Sequence, residues 1–218
     1  MRTLNAERLE TYLAHWMRNP SRPKNHEERD YLGMSGIAGC PYQQYLRLVD
    51  PPKPNDRMRW YAWTGYTHEA AIIELIEGAG IEGAKQGEQD IIADFDDRFR
   101  GHIDYCVGRT VIDVKSVYYK KLVNVAYDGP PFENVAQMQM YMAHGNFANG
   151  ILIYVARDVP HWEWEAMRYD KARFGAFHVV DVPRDQVLID KLNTKAKMIL
   201  DGVDQRVPPR CDCGRCWG

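Results

Sequence analysis

The chemistry announced by this sequence is carried by Asp104, Asp113 and Lys115, within Gly101–Lys115, GHIDYCVGRTVIDVK. Each aspartate is set among apolar and β-branched neighbours. Side chains alternate along a strand, so Asp113 and Lys115 share one face while Ile112 and Val114 share the other. A carboxylate in apolar surroundings is costly unless it binds something positive. Carboxylate oxygens suit hard cations such as magnesium or manganese. The backbone carbonyl of Val114, between Asp113 and Lys115, can add another oxygen. Lys115 can then orient or deprotonate an attacking water and steady charge on a phosphate, as a divalent-metal phosphodiesterase site requires. Taken alone, the same residues would also make a surface hairpin with an aspartate–lysine ion pair.

Residues on two predicted helices bear on that choice. His68 stands in Gly65-Tyr66-Thr67-His68-Glu69, and a neutral imidazole is a good third ligand. Glu69 is the neighbouring candidate, but adjacent helix residues point about 100° apart, so the two do not both face one ion. Downstream, Gln137 and Tyr141 lie four apart and therefore on one helix face, where an amide and a phenol can hold the lysine or a substrate phosphate.

The five cysteines are unevenly placed. Cys40 precedes Pro41, and Cys106 lies on a predicted strand, where it reads as a small core residue. Cys211, Cys213 and Cys216 crowd the last eight residues of the chain. In an intracellular protein such a cluster points to a bound metal rather than disulfides.

The elements that must position these groups follow from periodicity and breakers. Apolar spacing predicts a helix over residues 3–18, ended by Asn19-Pro20, then a polar, mobile loop to residue 33. A short turn from Ser35 leads into a helix through Leu48, followed by the proline-rich connection Asp50–Asn55. A helix is predicted over Trp60–Glu77. Strands are predicted over Asp90–Phe95, Phe99–Val107 and Thr110–Val117, the last two joined by a Gly108-Arg109 turn. Then come a helix over 132–144, a buried strand Gly150–Ala156, strands His161–Met167 and Ala176–Val182, and a helix Pro183–Gly202. This order implies an α/β protein with a mixed sheet covered by helices.

The chain has 218 residues, 45% hydrophobic and 27% charged, enough for one sizeable core. No apolar run approaches the roughly 20 residues that span a bilayer, and the N-terminus does not read as a signal peptide, so a cytoplasmic protein is expected. The formal net charge is −2, so affinity for a polyanion must be local. Its sources would be bound metal and small clusters such as Lys53, Arg57 and Arg59, or Lys120 and Lys121, which otherwise read as solvated surface.

In chain order the motifs are Gly65-x-x-His68, Gly101-x-x-Asp104, Asp113-x-Lys115 and Gln137-x-x-x-Tyr141. Together they resemble the RecB-type branch of the PD-(D/E)xK nuclease superfamily. The resemblance implies a restriction-endonuclease-like core, with a central mixed β-sheet flanked by helices and a metal at its opened strands. It implies DNA phosphodiester hydrolysis by metal-activated water, with His68, Asp104, Asp113 and the Val114 carbonyl as ligands. Lys115 is then the catalytic lysine, and Gln137 and Tyr141 are accessory. Met34–Leu48, MSGIAGCPYQQYLRL, further resembles the iron–sulfur members, the CRISPR-associated RecB-like exonucleases and the AddB nuclease domain. In these, one N-terminal and three C-terminal cysteines hold a four-iron, four-sulfur cluster. The matching residues are Cys40, Cys211, Cys213 and Cys216, stapling the ends of a nuclease domain over 34–218 that follows an N-terminal helix and loop over 1–33. The triplet here, C-x-C-x-x-C, is tighter than in that family, and a structural zinc is the competing reading.

The implied substrate is DNA, as single strands or duplex ends, and an exonuclease is favoured. No G-x-x-x-x-G-K-[ST] motor motif is present, so partners such as a helicase, a recombinase or CRISPR adaptation proteins would deliver the substrate. Recombination, repair, phage DNA processing and CRISPR adaptation are all open. A site- or structure-specific endonuclease and a non-catalytic DNA-binding scaffold are the alternatives.

Overall fold

In a computed structural model, which describes residues 30–51, 56–79, 85–87, 89–169, 171–211 and 213, the run predicted as one strand over Phe99–Val107 splits at Asp104. The elements in order are β1 (Leu32–Gly33), one 3-10 turn (Met34–Gly36), α1 (Pro41–Val49), α2 (Asp56–Gly78), β2 (Lys85–Gln86), β3 (Gln89–Ala93), β4 (Asp96–Ile103), β5 (Tyr105–Val107) and β6 (Thr110–Val117). They continue with α3 (Tyr119–Asp128), α4 (Phe132–His144), β7 (Asn149–Ala156), α5 (His161–Met167), β8 (Phe177–Pro183) and α6 (Gln186–Gln205).

β4 and β5 belong to different sheets. β4 lies between β1 and β3 in a three-stranded sheet, whereas β5 lies in a five-stranded sheet of order β2-β5-β6-β7-β8. β6 and β7 run parallel along their whole length, Thr110↔Asn149 to Val117↔Ala156. The β5–β6 ladder ends at Tyr105↔Ile112, which takes β5 away from β6 just before Asp113. Asp104 sits in the crotch of that fork.

The alternation read from the sequence holds on both faces of β6. Ile112 and Val114 pack with Ile72 and Ile76 of α2, Tyr105 and Ile153. The opposite face belongs to the larger core, built on Phe99, Ile103, Leu152 and Tyr154, and on Ala136, Met138, Met140 and Met142 of the helix α4, which is buried from Ala136 to Met142. A second buried amide on α4, Gln139, accepts the Asp185 backbone N–H (2.9 Å) and donates to the Pro183 carbonyl (2.8 Å). It thereby ties α4 to the start of α6. No helix among the described residues is long and apolar enough to cross a membrane.

Several expectations are corrected. The run predicted as a strand over His161–Met167 is the helix α5. On this helix Trp162 and Trp164 are exposed while Glu163 is 1% exposed. α3 was not foreseen, because Tyr118-Tyr119 and two valines favour extended chain and its amphipathic stripe is short. α6 starts three residues later than expected, at Gln186, because Pro183 closes β8 and the Asp185 side chain caps the helix by accepting the Leu188 N–H (3.0 Å). The loop expected through residue 33 gives way to β1, whose Leu32 is buried. The helix predicted over 3–18 and Lys53 lie outside the described residues.

Glu163 holds the turn before β8. Its Oε1 accepts backbone N–H groups from Phe174 (2.8 Å) and Gly175 (2.7 Å). Burial alone would raise this carboxyl, but those amides outweigh it and hold its pKa below the ordinary value. A depressed carboxyl stabilises the fold above its unfolded pKa of about 4.3, and that contribution is lost as pH falls through the folded value. Glu163→Gln should therefore cost about 1–3 kcal/mol at neutral pH. The gap to wild type should narrow below about pH 4 in denaturant titrations; a gap that stays constant with pH would deny the charged role.

Candidate active site

Asp104, where the two sheets part, does the work of a missing strand partner. Its Oδ2 accepts the Val114 N–H at 2.7 Å, on the edge of β6 that β5 has vacated. The pKa of Asp104 is raised well above the ordinary carboxylate range, first by burial, then by the nearby charges of Asp113 and Glu69; the Val114 N–H and Lys115 oppose this.

Asp113 is 1% exposed, and its Oδ2 lies 2.7 Å from Lys115 Nζ. Gln137 completes the arrangement from α4. Its Oε1 accepts from Lys115 Nζ (3.0 Å), and its Nε2 donates to Asp113 Oδ1 (3.2 Å) and to the Tyr141 hydroxyl (2.6 Å). The Tyr141 hydroxyl in turn donates a hydrogen bond to the His102 carbonyl (2.7 Å), reaching back to β4. One amide thus bonds both members of an acid–amine pair, which an acid or an amine at position 137 could not do. Burial draws the Lys115 pKa down, but Asp113, Asp104 and Glu69 outweigh it and the net shift is upward, so the amine is charged at neutral pH. Burial, and then the charge on Asp113, push the Tyr141 phenol far up, so it stays a hydroxyl donor.

These groups line a cleft of about 360 Å³ that opens between β4, β6 and α2. The structure brings Asp104, Asp113, Val114, Lys115, Gln137 and Tyr141 together in it. His68 stands at its side: its Nδ1 lies 2.7 Å from the hydroxyl of Ser116, the residue after Lys115. Among the described residues, His68, Asp104 and Asp113 are not drawn within 4.8 Å of one another. Glu69, set aside on angular grounds as the alternative to His68, lines the cleft with Tyr66. Arg100, which lines the cleft, and Ser116, which meets His68 on the α2 side of β6, were not foreseen; alternation back from Asp104 along β4 could have pointed to Arg100.

The cysteines meet at the far end of the chain. Cys40 Sγ lies 3.6 Å from Cys211 Sγ, which lies 3.3 Å from Cys213 Sγ, and the three sulfurs fall within 4.8 Å of one another. Cys40 occupies the position just before α1, whose first residue is Pro41. The tail reaches it because α6 ends with Arg206 in the left-handed conformation, whose turn is closed by Val207 N–H to the Gly202 carbonyl (2.9 Å). Cys216 lies outside the described residues. Cys106 is buried and accepts from Gln89 Nε2 (3.3 Å), in keeping with a core role.

Gly101 explains itself in this geometry. A Cβ there would stand 2.4 Å from Tyr141 Cε1 and 2.8 Å from Met34 Sδ. Both neighbours are buried, so Gly101→Ala should overpack the core by about 1–3 kcal/mol and push Tyr141 off His102. A thermal melt of Gly101→Ala that overlays wild type would contradict this packing.

No protein-family model and no curated protein matches the sequence. Solved structures do match. An alkaline exonuclease from Laribacter hongkongensis, LHK-Exo, superposes with a TM-score of 0.61 at 17% identity, over 82% of this chain and 90% of that one. LHK-Exo in complex with dAMP gives 0.62 at 16%, with the same coverage. A phage-related exonuclease from Haemophilus somnus 129PT gives 0.52 at 16% identity, over 79% of this chain and 81% of that one. At such identities the likeness concerns the fold: this chain shares with these exonucleases a restriction-endonuclease-like α/β core, a mixed sheet flanked by helices.

Proposed function

We propose that the chain is a magnesium- or manganese-dependent DNA nuclease that digests from ends. The observation that carries this reading is the seat of Lys115. A charged amine is fixed 2.7 Å from Asp113 and 3.0 Å from Gln137, beside Asp104, in an open cleft.

Hard oxygen donors fit such an ion. Asp104, Asp113, the Val114 carbonyl and Glu69 would hold it from the fork and from α2. His68 would add a nitrogen: its Nδ1 is set against Ser116, which leaves Nε2 for an ion, and ligating imidazoles characteristically spend their other nitrogen this way. Burial, and then the charge of Arg157, lower the His68 pKa, which keeps the ring in the neutral, ligating form. When bound, the ion supplies Lewis acidity toward the phosphate and makes water a better nucleophile. Lys115, being protonated, serves as a donor and a positive charge rather than as a base. It orients the water or a phosphate oxygen and offsets negative charge as it builds. Gln137 and Tyr141 keep it in place, so little rearrangement is needed during the reaction.

The test is digestion of end-labelled linear and of circular single-stranded DNA with each metal. Linear DNA should be degraded and circular DNA spared. Lys115→Ala should slow hydrolysis at least about 100-fold, with manganese binding by calorimetry retained; Asp113→Ala should lose both. Cleavage of circles would replace the exonuclease with an endonuclease, and unimpaired cleavage by both variants would remove this site.

The three close thiols support a structural metal centre, completed by Cys216. The Cys40-Pro41 context favours a four-iron, four-sulfur cluster. The sulfur spacing favours zinc, since a tetrahedron with Zn–S bonds of about 2.3 Å has S···S edges of about 3.8 Å. Protein purified without oxygen should be brown and bleach in Cys40→Ala if the cluster is present. Colourless protein with one zinc per chain would decide for zinc. Either metal should make Cys40→Ala melt earlier, because binding energy here is folding energy; protein free of both metals would end both readings.

A further inference from the structure

We propose that Tyr118, backed by Arg157 and flanked by Lys120 and Lys121, forms a stacking platform for single-stranded DNA where β6 leaves the cleft; the inference rests on the nuclease reading for the source of that strand.

Tyr118 follows directly on β6, three residues beyond Lys115. At strand spacing that is about 10 Å along the chain. The Arg157 guanidinium lies 4.5 Å from the centroid of the Tyr118 ring and 5.6 Å from that of Tyr61 on α2. Its backbone is pinned to the same strand end, donating to the Val117 carbonyl at 2.8 Å. Arg157 Nε is buried without a hydrogen-bond partner, and among the described residues no carboxylate pairs with the guanidinium. The adjacent Asp158 instead spends Oδ1 on the Tyr119 N–H (2.6 Å). The arginine is therefore held by ring faces and keeps its charge for a ligand.

Tyr118 is 52% exposed although the Arg157 guanidinium lies against its ring. It also lines a groove of about 590 Å³ with Lys120, Lys121, Asn124 and Asp128, closed by the Gly129–Pro131 turn. Both lysines are exposed, and they outnumber the single acid. Stacking rings with cations alongside is how proteins hold single strands regardless of sequence: every base has a π face, and the cations follow the phosphates. A duplex hides those faces inside its stack, which selects an unpaired strand.

The experiment is anisotropy of fluorescein-labelled dT20 on the full-length chain in EDTA, across a salt series. Tyr118→Ala should weaken binding roughly 5- to 150-fold, while Tyr118→Phe, which keeps the ring and controls for folding, should bind as wild type does. Lys120→Ala and Lys121→Ala should each reduce the salt slope by about 0.7. Wild-type affinity in Tyr118→Ala, equal loss in Tyr118→Phe, or no binding of dT20 by wild type would each overturn the platform. The two readings separate cleanly. Tyr118-dependent binding by a chain that cuts nothing keeps the platform and sinks the nuclease; efficient cutting with Tyr118-independent binding does the reverse.

Discussion

The hydrogen bond from the Val114 N–H to Asp104 Oδ2 is the constraint on which the site depends. Two sheets part at residue 104, and a fork exposes strand edge that would otherwise need water or another strand. A carboxylate fills that place and satisfies the edge amide. The same bond brings Asp104 to the side of Asp113, although eight residues and a turn separate them. Remove it and both the closure of the fork and the pairing of the carboxylates are lost together.

Once two carboxylates are set together in a poorly hydrated crotch, the rest of the site follows from charge. Asp113 is almost wholly buried and needs a cation and donors. Alternation places Lys115 on the same face of β6, two residues on. Gln137 is the group that can bond both without adding charge, and Tyr141 fixes which way its amide faces. The chain from His102 through Tyr141 and Gln137 to Asp113 and Lys115 joins β4, α4 and β6. It therefore orients the lysine and also registers helix against both sheets. Gly101 belongs to the same arrangement, because only a residue without a side chain lets the tyrosine ring lie across β4.

Much of this was legible in the sequence, for physical reasons. Asp113, Lys115, Gln137 and Tyr141 are displayed by strand and helix periods, and periodicity survives as long as the elements do. The parting of β4 from β5 was not legible, since Phe99–Val107 alternates well enough to be one strand and only the tertiary arrangement breaks it. The choice between His68 and Glu69 was blurred for a related reason. An angular argument assumes one helix viewing one point, whereas α2 crosses an open strand edge and presents His68 to Ser116 and Glu69 to the cleft. The strand predicted over His161–Met167 failed because a short run rich in aromatic residues does not by its pattern alone separate strand from helix. Two backbone amides waiting at Phe174 and Gly175 made the glutamate the residue worth burying.

β6 ends up as the axis of the molecule, because each of its surfaces serves a different purpose. One face carries Asp113 and Lys115 toward α4, and the other seats α2 through Ile112 and Val114. Its paired edge gives β7 a full parallel ladder, and its vacated edge gives Val114 to Asp104. Its end is clamped by Arg157 and Asp158, which follow β7 and return to Val117 and Tyr119. A substitution that shifted β6 by one residue would turn the lysine toward α2 and bury Val114 against Gln137, since register and side-chain face are inseparable in a strand. The parallel ladder to β7, the fork at Asp104 and the clamp at its end each oppose that slip from a different direction. The precision of Lys115 is therefore a property of the whole sheet and not of the contacts it makes itself.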